Sequence, residues 1–314
     1  MTLNSLRATG LAATLGIFII LPFVLEDYWI YTVTIGFYYA ILAASWALLV
    51  GYVGRISFAQ TAMAGLGGYA SALSVQHIGL PPVIGLGFGV LVAGLIGFVI
   101  GRLTLRLHGA YLGLTTIAFA EILRITITAE YSLTEGSRGL QVAALIEGGT
   151  RVEYYFLFLA VTVACLALMT WLLRSRIGLF FQSIREDEDG AASLGVNVTL
   201  WKTVAFAISS AFAGLAGGLQ AHFVQLITPS MMSLQEMGLV LAMAVIGGFH
   251  NVFFAALGGV GLQVLLEALR ELGEWRLVVF GLLTLLILRL MPNGIFGALF
   301  DALAKRLMRN GNDK

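Results

Sequence analysis

Apolar runs follow one another along this 314-residue chain with only short polar or turn-forming breaks between them. They fall at 9–25, 28–50, 58–78, 82–101, 110–128, 154–174, 203–224, 237–249, 252–270 and 276–291. A helix that crosses a bilayer needs about 20 mostly apolar residues. Lipid offers no partner for unpaired backbone groups, so chains of this pattern fold as bundles of helices. The chain is 11% charged and 59% hydrophobic, whereas ordinary soluble domains carry about 25% charged residues. The expected fold class is an all-α integral membrane protein: one polytopic helical bundle, residues 1–314, of about ten spans.

Two runs depart from a plain crossing. The 237–249 run covers roughly 20 Å of a roughly 30 Å hydrocarbon core. It is expected to borrow residues from the preceding loop or to enter as a half-helix. The 58–78 run carries Gln60, Thr61, Ser71 and Ser74 and is expected to be partly re-entrant. The first run follows Arg7 as a signal peptide would, but no small-x-small cleavage site precedes Glu26-Asp27, so it reads as an uncleaved span. The single cysteine, Cys165, leaves no intrachain disulfide and no cysteine metal site.

Basic residues set sidedness, because cytoplasmic loops collect Lys and Arg. With ten crossings and both termini inside, thirteen basic residues, Arg106, Lys305, Arg306, Arg309 and Lys314 among them, fall on the cytoplasmic side. Only Arg138, Arg151, Arg270 and Arg276 fall outside, and Arg124 lies within a span. The outer loops then read as acidic, with Glu236, Glu267 and Glu274 among their residues.

Glycine recurs inside the runs. Gly85/Gly89, Gly97/Gly101 and Gly214/Gly218 have GxxxG spacing, which lets helix backbones approach closely. The expected use is packing within one bundle, with a subunit interface or a moving helix pair as the sharper alternative. Residues 51–66 also echo 247–262, sharing Gly51/Gly247, Phe58/Phe254, Ala59/Ala255, Gly65/Gly261 and Leu66/Leu262. Transporters are often built from internal repeats, although a chain rich in Gly and Ala also produces such a match by chance.

No catalytic constellation is visible. There is no GxxxxGK[ST] loop, and His77, His108, His222 and His250 are scattered without metal-site spacing. Glu121 and Arg124 lie inside the fifth run at i,i+3 spacing, adjacent on one helix face. Charges within a span are costly and are usually paired or facing water. They read as either a structural ion pair or a gate. The turn-rich stretch Leu133–Leu140 reads as a connector, a lid or a contact for an external partner.

The segment 175–202 is the polar exception. SRIGLFFQSIREDEDGAASLGVNVTLWK sets apolar residues between charges in the middle of an apolar chain, as a cytoplasmic docking surface would. Within it, Asp189-Gly190-Ala191-Ala192-Ser193-Leu194-Gly195 resembles the EAAxxxG loop of ABC importer permeases. Taken with GAYLGLTTIAFAEILR at 109–124, LTEGSRGL at 133–140, AGLAGGLQAHFV at 213–224, MAVIGGFHNVFFAALGGVGL at 243–262 and RLMPNGIFG at 289–297, the chain resembles the branched-chain amino acid permease family of the LivM type over roughly residues 28–300. One departure is the first cytoplasmic turn, where Phe58-Ala59-Gln60 replaces the Gly-His part of the family's run.

The resemblance implies a permease subunit of a bacterial ABC importer, forming half of a pathway for branched-chain or related amino acids. Urea, amides and aromatic acids are alternative cargoes; a stand-alone secondary transporter or channel is the alternative of a different class. The implied partners are a second related permease, two cytoplasmic ATPases, a periplasmic substrate-binding protein and the lipid bilayer, with no nucleic acid. The chain itself would be no enzyme and hold no cofactor, since ATP and Mg belong to the ATPases. It would lie in the bacterial inner membrane with both termini cytoplasmic. The implied coupling residues are Ile184, Arg185, Glu186, Asp187, Glu188, Asp189, Ala191, Leu194 and Gly195. Candidates for the pathway or its gate are Ser57, Gln60, Thr115, Thr116, Glu121 and Arg124.

Overall fold

The computed structural model describes residues 3–104, 109–273, 275–291 and 294–298. Arg106, His108, Glu274, Lys305, Arg306, Arg309 and Lys314, used above, lie outside them. The helices are α1 (Leu3–Ile20), α2 (Asp27–Val53), α3 (Gln60–Ile78), α4 (Pro82–Thr104), α5 (Ala110–Ala129), the single turn α6 (Tyr131–Thr134), α7 (Arg151–Arg174), α8 (Arg176–Glu186), α9 (Glu188–Ser193), α10 (Val198–Val224), α11 (Leu234–Gly247), α12 (Val252–Ala268) and α13 (Trp275–Leu290). The strands β1 (Leu140–Gln141) and β2 (Leu226–Ile227) form an antiparallel ribbon with Leu140 opposite Ile227.

α2 is the axial helix. Most of its residues from Ile30 to Val53 are buried, because α12, α10, α7 and α11 pack around it. Its end is set by Gly54, whose φ of +73° suits a left-handed cap. α7 starts at a capping box, with Thr150 accepting from the Glu153 amide and Glu153 accepting from the Thr150 amide.

Among the described residues five helices, α2, α4, α5, α7 and α10, are long and apolar enough to cross a bilayer. A sixth crossing arises if α11 and α12, which meet at 120°, are one broken span. The half-helix expected at 237–249 is α11, which starts three residues earlier, at Leu234, and covers about 21 Å. The run at 58–78 becomes one uninterrupted helix from Gln60 to Ile78. Gln60, Thr61, Ser71 and Ser74, which suggested re-entry, are buried against neighbouring helices.

The glycine pairs pack within the chain. An added Cβ on Gly67 would lie 2.6 Å from the Gly214 carbonyl oxygen, and one on Gly89 would strike the Gly67 carbonyl. Gly97 is closed off by Ser210, Gly101 by Phe206 and Gly214 by Ala93. These contacts join α3, α4 and α10. The two echoing segments share a local form, a helix ended by a left-handed glycine (Gly54, Gly248) and then a second helix. They also touch, since Gly51 lies against the Phe249 carbonyl.

Candidate functional site: a polar pedestal and a buried polar knot

The polar segment folds into two short helices at one end of the bundle. Ser175 caps α8 by accepting from the Ile177 amide at 3.2 Å, and Asp187 caps α9 by accepting from the Gly190 amide at 3.0 Å. The apolar face of α8 turns inward. Phe181 and Ile184 are buried, and Phe180 stacks on Trp201 with ring centroids 4.8 Å apart. Gly195, at φ +85°, turns the chain towards α10, whose cap Asn197 accepts from the Leu200 amide.

One carboxylate ties this pedestal to the bundle. Glu188 pairs with Arg55 through one oxygen and with Lys202 through the other. The Lys202 side chain is 1% exposed and that of Arg55 12%. A buried ammonium needs such a partner, because removal from water costs several kcal/mol per ion. Arg185 donates to the Gly51 carbonyl near the end of α2. The pedestal is thus fastened to the end of α2, to the α2–α3 turn and to the start of α10.

The expected coupling residues divide by direction. Ile184 and Ala191 are buried and hold the pedestal down; Glu188 is its inward tie. Glu186, Asp187, Asp189, Leu194 and Gly195 lie on the outer surface, as does most of Arg185. Leu194 is 87% exposed, a large apolar side chain projecting from a charged surface. Sequence reasoning did not select Arg55, Trp201 or Lys202 as partners; a positive charge at the start of an apolar run was the available signal.

Next to Arg55 the chain enters a buried polar knot. The Trp46 indole donates to the Ser57 carbonyl at 2.8 Å, and the Phe58 amide donates to the Thr116 hydroxyl at 3.0 Å. The Gln60 amide donates to the Ser45 hydroxyl at 2.9 Å and the Ser209 hydroxyl at 2.6 Å. Ser57, Gln60 and Thr116 are therefore brought together, joining α2, α3, α5 and α10. The Gln60 amide bonds between helices, whereas the Ser57 hydroxyl accepts locally from the Ala59 amide and the Thr116 hydroxyl also donates to Gly113 on its own helix. Thr115 stays outside the knot, its hydroxyl donating to Tyr111 on its own helix. Glu121 and Arg124 pair with each other along α5, with Nε to Oε2 at 2.9 Å, and both remain partly exposed.

At the opposite end, the Leu133–Leu140 stretch folds as α6, a 3-10 turn at Gly136–Arg138 and the start of β1. It buries Leu140 in the ribbon. His222 binds the ribbon end to the helices: its Nε2 meets the Ser71 hydroxyl at 2.8 Å and its Nδ1 meets the Ala143 carbonyl at 2.7 Å. A cavity of about 430 Å³ opens there between α3 and the stretch after β1, lined by Ala72, Val75, Gln76, Gln141, Val142 and Ala143. Nearby, Tyr28, Glu267 and Arg270 bond together. The hydrogen bonds that Arg270 donates to the Tyr28 hydroxyl and the Glu267 carboxylate raise its pKa above the usual value. The acidic residues assigned above to outer loops are placed differently in part: Glu267 is in the last turn of α12 and Glu236 in the first turn of α11.

Known proteins are similar to this chain in sequence. Residues 28–288 match the family described as branched-chain amino acid transport system / permease component. The high-affinity branched-chain amino acid transport system permease protein LivM of Salmonella typhimurium is 30% identical over 313 residues, covering 91% of this chain and 74% of the relative. LivM of Escherichia coli is 29% identical with the same coverage. The permease protein LivH of Escherichia coli is 28% identical, covering 84% of this chain and 93% of the relative. No solved structure matches the chain. The match spans the bundle from the first residues of α2 to the last turns of α13, with pedestal and polar knot both inside it, and the chain belongs to the branched-chain amino acid transport system permease family.

Proposed function

We propose that this chain is one of two permease subunits of an ABC importer and forms half of a pathway for branched-chain amino acids. The observation that carries the proposal is the pedestal. It presents Leu194 and an acidic rim outward, while Glu188, Arg185 and Ile184 fasten it to the helices. A surface of this kind suits the groove of a cytoplasmic ATPase. Movement of the ATPases would pull on the α2–α3 turn through Arg55 and on α10 through Lys202. A second permease, related as LivH and LivM are related, would cover α5, where an ion pair lies among exposed Tyr111, Leu114, Ile122 and Ile125. Uncovered, that pair would face lipid at a cost of a few kcal/mol. A periplasmic binding protein would deliver the solute at the ribbon end, and ATP and Mg would be held by the ATPases.

Leu194→Asp tests the docking surface. The change touches no packed core, so the protein should still enter the membrane and fold. ATPase co-purification should fall by about tenfold or more, as expected for an apolar anchor lost from an interface centre. Unchanged co-purification would reject the pedestal as the docking site.

We further propose ten crossings with both termini cytoplasmic. Support comes from the alternation of the helices: α12 runs antiparallel to α2, with Gly36 against Val260 and Tyr28 against Glu267. In a Cys165→Ser background, Ser137→Cys should react with an impermeant thiol reagent in intact cells, and Ser193→Cys only after the membrane is opened. Both serines are exposed, so labelling of Ser193→Cys in intact cells would overturn the orientation.

A further inference from the structure

Glu236 is a carboxylate far from either end of the bundle. Its Oε2 accepts a hydrogen bond from the Tyr39 hydroxyl at 2.9 Å. Tyr39 lies twelve residues into the 27-residue helix α2, about 18 Å from its start and about 21 Å from its end. α11 and α2 run side by side in the same direction, because Phe249, just past α11, lies against Gly51. Glu236 is thus held level with the middle of the axial helix. The ion pairs among the described residues use Glu121, Glu188 and Glu267; none uses Glu236.

A charge at that depth costs about 3 kcal/mol even on insertion scales and usually marks a solute or ion path. The chain also reaches Glu236 without a continuous helix. From β2 it passes through a 3-10 turn at Pro229–Met232. Ile227 lies against Gly68, near the middle of α3, and Met232 lies against Gly65, one turn nearer the pedestal. Irregular backbone at membrane depth persists where protein buries it or where it lines a cavity, and half-helices that begin there commonly adjoin the solute.

We infer that Glu236, oriented by Tyr39, receives the positively charged ammonium group of the solute during passage. This rests on the amino-acid cargo proposed above. Among the described residues no basic side chain is paired to this carboxyl group, one of its oxygens is fixed by a phenol, and its side chain is only partly covered, as is that of Tyr39, so that in its ionised form it can offer a negative charge to an ammonium. A purely structural residue would need only to accept the Tyr39 hydrogen bond, and an amide oxygen does that equally well.

The test uses the whole complex in liposomes, with the second permease, the ATPases and the binding protein. Uptake of radiolabelled leucine and binding-protein-stimulated ATP hydrolysis are measured for wild type, Glu236→Gln, Glu236→Asp and Tyr39→Phe. Glu236→Gln should lower leucine uptake by about tenfold, the scale of one lost charge-assisted contact, while hydrolysis continues. Glu236→Asp should retain more uptake than Glu236→Gln, and Tyr39→Phe, which keeps the charge, should also lose less. Wild-type uptake in Glu236→Gln would overturn the inference. So would equal losses in Glu236→Gln and Tyr39→Phe together with lost assembly, since that pattern is structural. A wild-type complex that hydrolyses ATP but imports no amino acid would reject the cargo reading itself, and the inference with it.

Discussion

Glu188→Ala should abolish solute uptake and cost the fold about 3–5 kcal/mol, the range found when one partner of a buried ion pair is removed. The effect is large because two cations depend on one carboxylate. Without Glu188, Lys202 is left almost fully buried, beside an Arg55 that has lost the same partner. Each of these cations then raises the cost of the other. Glu188→Asp, one methylene shorter, should hold one cation at the expense of the other and give intermediate stability. The triple variant Arg55→Met, Glu188→Leu and Lys202→Met should recover much of the stability, because apolar replacement of a whole buried ion triad is often neutral or better. It should not recover transport if the tie carries motion. Thermal unfolding in detergent reads the first quantity and ATP-driven uptake the second. Full uptake by Glu188→Ala would show that the pedestal needs no such tie; full uptake by the triple variant would show that the tie serves stability alone.

The Arg55–Glu188–Lys202 tie also marks where the sequence ceases to be legible. Each described helix that could cross a membrane was visible as an apolar run, because lipid exposure and burial both demand apolar side chains. The pedestal was visible for the opposite reason, as the longest polar interval in the chain. What the runs do not encode is which turn meets which. Arg55 lies 133 residues from Glu188, and nothing in its neighbourhood distinguishes it from a basic residue that merely sets orientation. Gln60, Ser57 and Thr116 read as polar groups available to a pathway; the fold adds that the Gln60 amide nitrogen donates to Ser45 and Ser209, the Ser57 carbonyl accepts from Trp46 and the Thr116 hydroxyl accepts from the Phe58 amide. Glu236 stands at the beginning of a short run, where sequence places it in a loop. Only the packing of α11 beside α2 carries it to the level of Tyr39. The glycine stripes were legible as close-packing surfaces, but their partners came from three helices that no spacing rule could match.

The second large effect belongs to those stripes. Gly67→Val should sharply reduce the amount of folded protein, with destabilisation of at least the roughly 1–3 kcal/mol of an overpacked core. An added Cβ at Gly67 would sit 2.6 Å from the Gly214 carbonyl oxygen and 2.8 Å from its carbonyl carbon. These are backbone atoms of α10, so no rotamer change relieves them, and α3 and α10 would have to separate. Separation is opposed on both sides: Gly214 is itself closed off by Ala93 of α4, and the Gly67 carbonyl lies against Gly89 of α4. The same movement would strain the Gln60–Ser209 hydrogen bond and the Ser71–His222 contact, which join α3 to α10 at two levels. In lipid there is little hydrophobic gain to offset a widened gap, because helix association there depends on close van der Waals packing. Gly87→Val supplies the control. Gly87 is exposed on α4 with nothing near an added Cβ, so the same chemical change tests helix propensity and insertion without crowding. Fluorescence-detected size exclusion and thermal unfolding of the two variants in one detergent make the comparison. Equal yield and equal midpoint for Gly67→Val and Gly87→Val would mean that α3 and α10 are not in the close contact described, and the packing of the glycine stripes would have to be redrawn.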